Sequence, residues 1–153
     1  MTPKTNTMLS HASTAIRWLA RFGIGTALIL SSLPKIYAPL DFLSAIYGYQ
    51  LTSPQSGLLV AVVVPWLELV CGVFLLLGIW VPGALLATIA LFCTFATAIT
   101  TALLRGLSID CGCGGLPGGG TVAWTTLFRA LLFLAISTAL LLTSAHRSRF
   151  KVH

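Results

Sequence analysis

From Gly83 to Leu104 the chain carries no charged side chain at all. About 20 apolar residues in a helix cross the roughly 30 Å hydrocarbon core of a bilayer, and within lipid a helix satisfies its own backbone hydrogen bonds. Three further stretches share this character, at about 16–33, 57–80 and 122–145. Charged residues make up 8% of the chain and hydrophobic residues 57%, against roughly one quarter charged in a soluble domain. The residues therefore predict an all-α integral membrane four-helix bundle, a single domain over 1–153. Short alternating strands with turn signals are missing from the pattern, which argues against a membrane β-barrel. The formal charge of +6 is scattered between apolar runs, so nucleic acid is not a partner and the lipid bilayer is the implied surrounding.

The excess of Lys and Arg reads as topology. Lys4, Arg17, Arg21, Arg147, Arg149 and Lys151 fall on one side of a four-span chain, and Lys35 and Arg105 on the other. This predicts an inner-membrane protein with both termini cytoplasmic and the connection at 105–121 on the outer, periplasmic face. The first stretch has a rival reading as a secretory signal. Pro34, Lys35, Ile36 and Tyr37 follow it in place of an Ala-x-Ala-like cleavage site, so it is kept as a helix closed by Pro34 and Lys35. Leu40, Phe42, Leu43, Ile46 and Tyr47 then recur at helical spacing and predict a short interfacial segment between the first two spans. Trp80-Val81-Pro82-Gly83 predicts a tight turn that sets the second and third spans antiparallel. Trp66, Trp80 and Trp124 read as belt residues near span ends.

The outer connection holds Cys111-Gly112-Cys113, and residues 111–120 contain six glycines. Glycine opens backbone conformations closed to other residues, which lets two such close thiols approach bonding distance, though with strained geometry. A strained, exposed disulfide is the more oxidising kind and is open to attack by a partner's thiolate. Cys111 and Cys113 are thus a candidate redox pair. A static bridge over the loop is the rival. Metal is disfavoured: a structural zinc site wants four Cys or His ligands, whereas His11, His146 and His153 lie in the tails, as do Met1 and Met8. Cys71 and Cys93 lie about ten residues to either side of the predicted turn, at matching depth, so they are a candidate relay; inert buried thiols are the alternative.

Glu68 falls near the middle of its span, where a carboxylate needs a partner or a proton. Arg129 in the fourth span is within reach by residue counting, which predicts a Glu68–Arg129 clamp. Proton exchange by Glu68 with a bound quinone or thiol is the functional reading, with Arg129 and Arg21 as further candidates for a quinone or ion-pair site. Pro65, one turn before Glu68, removes a backbone donor there.

As a set these residues resemble the MauE branch of the DoxX-like membrane proteins. The resemblance rests on the basic first helix with Arg17, Arg21 and Lys35, on Pro65-Trp66-Leu67-Glu68 followed by Gly72 and Gly78, and above all on Arg105-Gly106 leading to Asp110-Cys111-Gly112-Cys113-Gly114. The chain departs from the family pattern at Gly114-Gly115, where members carry an aromatic. The resemblance implies a four-helix membrane protein that assists maturation of the disulfide-rich small subunit of methylamine dehydrogenase together with a thioredoxin-like partner. The expected function is thiol–disulfide exchange with a periplasmic thioredoxin-like protein or disulfide-rich client, coupled to the membrane through quinone. A non-catalytic scaffold with a structural loop disulfide is the alternative.

Overall fold

The computed structural model describes residues 3–50, 53–106 and 124–149, and among them every regular element is a helix: α1 (Pro3–Tyr37), α2 (Pro39–Gly48), α3 (Pro54–Leu77), α4 (Val81–Leu104) and α5 (Trp124–Arg149). Four carry stretches long and apolar enough to cross a bilayer, Ala15–Tyr37, Gln55–Leu77, Val81–Leu104 and Trp124–Ser144. Large apolar side chains such as Leu19, Leu30, Leu59 and Phe128 face outward, the pattern of a surface solvated by lipid. The chain is a multi-pass membrane bundle.

Chain punctuation explains the boundaries. Ser53 caps α3 through its side-chain oxygen and Pro54 occupies the first turn, where its missing N–H costs nothing. Gly78 ends α3 at φ 76°, its N–H returning to the Phe74 carbonyl, a conformation glycine adopts without penalty. Trp80, at φ 49°, opens α4. The turn between α3 and α4 is therefore at 78–80, earlier than the predicted Trp80–Gly83. The second span also runs about three residues earlier than expected, and Trp66 stands mid-helix and outward-facing, not near a span end as a belt residue would.

The first span departs most from expectation. Pro34 does not close α1; the helix runs through it to Tyr37 and carries Lys35 with it. The predicted interfacial segment is α2, with Phe42 and Ile46 buried against Ala61 and Val64 of α3 and Leu43 partly buried. Leu40 and Tyr47 of the expected apolar face are exposed.

The bundle pairs α1 with α3 and α4 with α5, and α3 with α4 and α1 with α5 complete the packing. Ile24 and Leu28 of α1, Cys71 and Leu75 of α3, and Ala84 and Leu85 of α4 form the central core. Helices associate in lipid through close backbone approach at small residues, and here the approach is at Gly25 and Gly72. A Cβ on Gly72 would stand 2.9 Å from the Gly25 carbonyl oxygen and 2.8 Å from the Ile29 side chain. Gly72→Leu is accordingly expected to cost about 1–3 kcal/mol of stability, the usual penalty of overpacking, read as a lower melting temperature in detergent. Gly23→Ala, at a position where a Cβ meets nothing within 4 Å, should leave that temperature unchanged or slightly higher.

Apolar helices rich in threonine need somewhere to put the hydroxyls. Thr88 donates to Ala84 O at 2.7 Å, Thr97 to Cys93 O at 3.0 Å and Thr100 to Ala96 O at 2.7 Å, so each hydroxyl is satisfied within its own helix. At one end of the bundle Tyr49 packs beside Leu103 and Leu127 on a cluster of Ala96, Ile99, Ala102 and Ala130. Gly106 and Trp124, which flank residues 107–123, thus lie at the end that also carries the α2–α3 connection.

Candidate functional site

The interior of a membrane bundle tolerates charge only where charge is matched, and one such match is buried here. The Lys35 ammonium donates to both carboxylate oxygens of Glu68, at 2.7 and 2.8 Å, and both side chains are almost inaccessible, at 1% and 2% exposure. Helical side chains lean toward the N-terminus of their helix, so Lys35, two residues from the end of α1, reaches back into the bundle. Its third contact is the Ser31 hydroxyl one turn earlier, at 3.2 Å. The rings of Phe95 and Phe42 stand 4.8 and 5.2 Å from the nitrogen, within cation–π range. An ammonium that a lysine of this length could carry to the surface is instead held inside by a carboxylate, a hydroxyl and two aromatic faces.

A cavity of about 380 Å³ adjoins the pair. Its polar wall is Lys35, Glu68, Ser31, Thr126 and Arg129, and its apolar wall includes Leu28, Phe92, Phe95, Ile99 and Phe133. Phe92 and Phe133 stack across α4 and α5 with ring centroids 5.5 Å apart and planes 11° from parallel. The site therefore combines donors from α1 and α5, an acceptor from α3 and a ring-lined floor.

The structure brings together two of the residues singled out from sequence, Glu68 and Arg129, as walls of one cavity. The ion pair itself corrects the expected Glu68–Arg129 clamp: the partner of Glu68 is Lys35. A helix stop at Pro34 sets Lys35 outside the bundle, which is why the sequence does not offer it as the partner of Glu68. Ile24, Leu28, Ser32 and Lys35 nevertheless share one face at helical spacing, and all four are buried; the continuing period was the available signal. Arg21 does not join the site. It stacks over Trp18, 4.0 Å from the ring centroid, and its guanidinium stands beside Gly78, where a cation favours the carbonyl end of α3. Along α1 it is about 21 Å from Lys35, at 1.5 Å per residue.

Nor does the structure bring Cys71 and Cys93 together. Both are free thiols, one buried and one exposed. Cys71 packs with Ala84, Leu85 and Thr88, about 8 to 13 Å along α4 from Cys93. With the turn at 78–80 the two are no longer equidistant from it, which is why the predicted match in depth fails. In detergent, an apolar maleimide should modify Cys93 in the folded protein and Cys71 only after unfolding. Equal labelling of both would contradict this packing. Cys111 and Cys113 lie outside the described residues.

A family model for the methylamine utilisation protein MauE matches residues 13–143. The chain is 26% identical over 126 residues to the MauE protein of Paracoccus denitrificans, an alignment covering 82% of this chain and 68% of that protein. It is 31% identical over 126 residues to MauE of Methylophilus methylotrophus, covering 80% and 64% respectively. The chain thus spans about two thirds of the length of these relatives. No solved structure matches it.

Proposed function

The chain belongs to the MauE family, and on that premise we propose that it is a thiol–disulfide exchange protein of the inner membrane that assists disulfide formation in a periplasmic client. The setting named for its relatives, methylamine utilisation, is proposed for this chain as well. The observation that carries the reading is Cys111-Gly112-Cys113 in the segment joining α4 to α5, whose two flanks lie at one end of the bundle. Four spans and the Lys and Arg distribution favour that end as the periplasmic one, with both termini cytoplasmic, and the periplasm is a compartment in which disulfides form and persist.

The exchange balances as follows. A client thiolate attacks one sulfur of the Cys111–Cys113 disulfide, that bond breaks, and a mixed disulfide forms. A second client thiolate attacks the mixed disulfide; the client leaves oxidised and the pair is left as a dithiol, having gained two electrons and two protons. A thioredoxin-like partner can take the client's place in the same two steps. Nothing in this sequence of bonds calls on Cys71 or Cys93, so replacing both with alanine should leave client maturation intact.

With one cysteine of the pair replaced, the remaining thiolate can still attack the disulfide of an oxidised client or thioredoxin-like partner, and no second sulfur of the pair is left to release the mixed disulfide that forms. Cys111→Ser or Cys113→Ser, expressed in cells that make the client, is expected to accumulate a reductant-sensitive adduct with a periplasmic protein, seen by non-reducing electrophoresis and mass spectrometry. Absence of any adduct from both variants would favour a scaffold with a structural disulfide.

A further inference from the structure

We propose that the cavity beside the Lys35–Glu68 pair binds the ring of a membrane-soluble quinone. Its size, about 380 Å³, falls in the range of small-molecule sites, and its lining sorts ligand chemistries. The three Lys35 protons are taken by Glu68 and Ser31, whereas Arg129 is a donor that carries no acceptor lone pair and so favours a ligand with an oxygen acceptor. Glu68 lines the same space with its charge matched by Lys35, which leaves Arg129 as the polar contact for a carbonyl oxygen. The apolar side is aromatic, with Phe92 and Phe133 already stacked and Phe95 beside Lys35; a flat ring packs well on such faces. The cavity adjoins exposed Arg129 and lies between helices whose outer faces are lipid-facing, so a molecule dissolved in the membrane can reach it. Arg129, which stands outside the Lys35–Glu68 pair, supplies the donor, and Glu68 holds the Lys35 ammonium in place.

The inference deepens the exchange reading, and rests on it only for what the quinone would oxidise; binding itself involves no cysteine. The test is photo-labelling of the full chain in nanodiscs with an azidoquinone, competed with decylubiquinone and mapped by mass spectrometry. Saturable labelling is expected on the stretches of α4 and α5 that carry Phe92, Phe95 and Phe133. It should weaken at least tenfold in Arg129→Met and stay unchanged in Arg21→Gln, with Arg129→Met melting at the parent temperature. Labelling competed by decanoate and not by decylubiquinone would overturn the proposal in favour of an anion site. Labelling spread evenly over lipid-facing residues, or indifferent to Arg129→Met, would overturn it outright. The same labelling is expected in the Cys111→Ser/Cys113→Ser protein, so client maturation that persists in that variant with labelling intact counts against the exchange reading alone, and absence of saturable labelling from a parent protein that still exchanges counts against the quinone alone.

Discussion

Lys35→Met should be the most damaging single substitution in the membrane-spanning part of the chain. It removes the ammonium that holds both oxygens of a buried carboxylate and leaves Glu68 uncompensated. Breaking a buried pair by deleting one partner costs about 3–5 kcal/mol, a large share of the total stability of a small domain, about 5–15 kcal/mol. The expected result is poor accumulation and early melting in detergent. Removing the charge from both sides is different in kind, because a well-packed apolar replacement can match or exceed a buried ion pair. Lys35→Met combined with Glu68→Leu is therefore expected to recover most of the loss. Arg129→Met should do little to stability, which separates this pairing from a Glu68–Arg129 clamp. Melting curves of the parent, Lys35→Met, Glu68→Leu, the double variant and Arg129→Met make the measurement; a neutral Lys35→Met, or a double variant worse than either single, would contradict the assignment.

The largest effect on activity is expected from the double replacement Cys111→Ser/Cys113→Ser. Thiol–disulfide exchange needs a sulfur to attack and a sulfur to leave, and serine supplies neither. Client maturation should fall to the level of cells lacking the protein, while the variant accumulates and melts like the parent, because a bridge closing so short a loop constrains the unfolded chain little. Maturation supported by the double serine variant would refute the exchange reading.

What the sequence made legible follows from where its signals are strongest. An uncharged helix such as Gly83–Leu104 can hardly be anything but a span, and the four spans, their order and the helix between the first two could be read directly. Residue counting failed where local punctuation moved a boundary. Gly78 in a left-handed conformation moved the α3–α4 turn and with it the relative depth of Cys71 and Cys93. Pro34, tolerated inside α1, carried Lys35 into the interior, where side-chain length and direction bring its nitrogen to Glu68. The cavity was legible only in part: Glu68 and Arg129 announce themselves as charges in apolar helices, whereas Phe92, Phe95 and Phe133 look like any core or lipid-facing aromatic until three helices converge on them.

The central claim, a dithiol pair that opens and closes on the outer face of this bundle, is tested most directly by the redox state of Cys111 and Cys113 in living cells. Cells making the Cys71→Ala/Cys93→Ala protein are treated with a membrane-impermeant, mass-tagged maleimide, before and after mild external reduction, and the tag count is read by electrophoresis. The account predicts a mixture of untagged and doubly tagged protein whose ratio shifts when the client is withdrawn, with full tagging after external reduction. A pair fixed in one state whatever the client supply, or reached by the reagent only after the membrane is permeabilised, would contradict it.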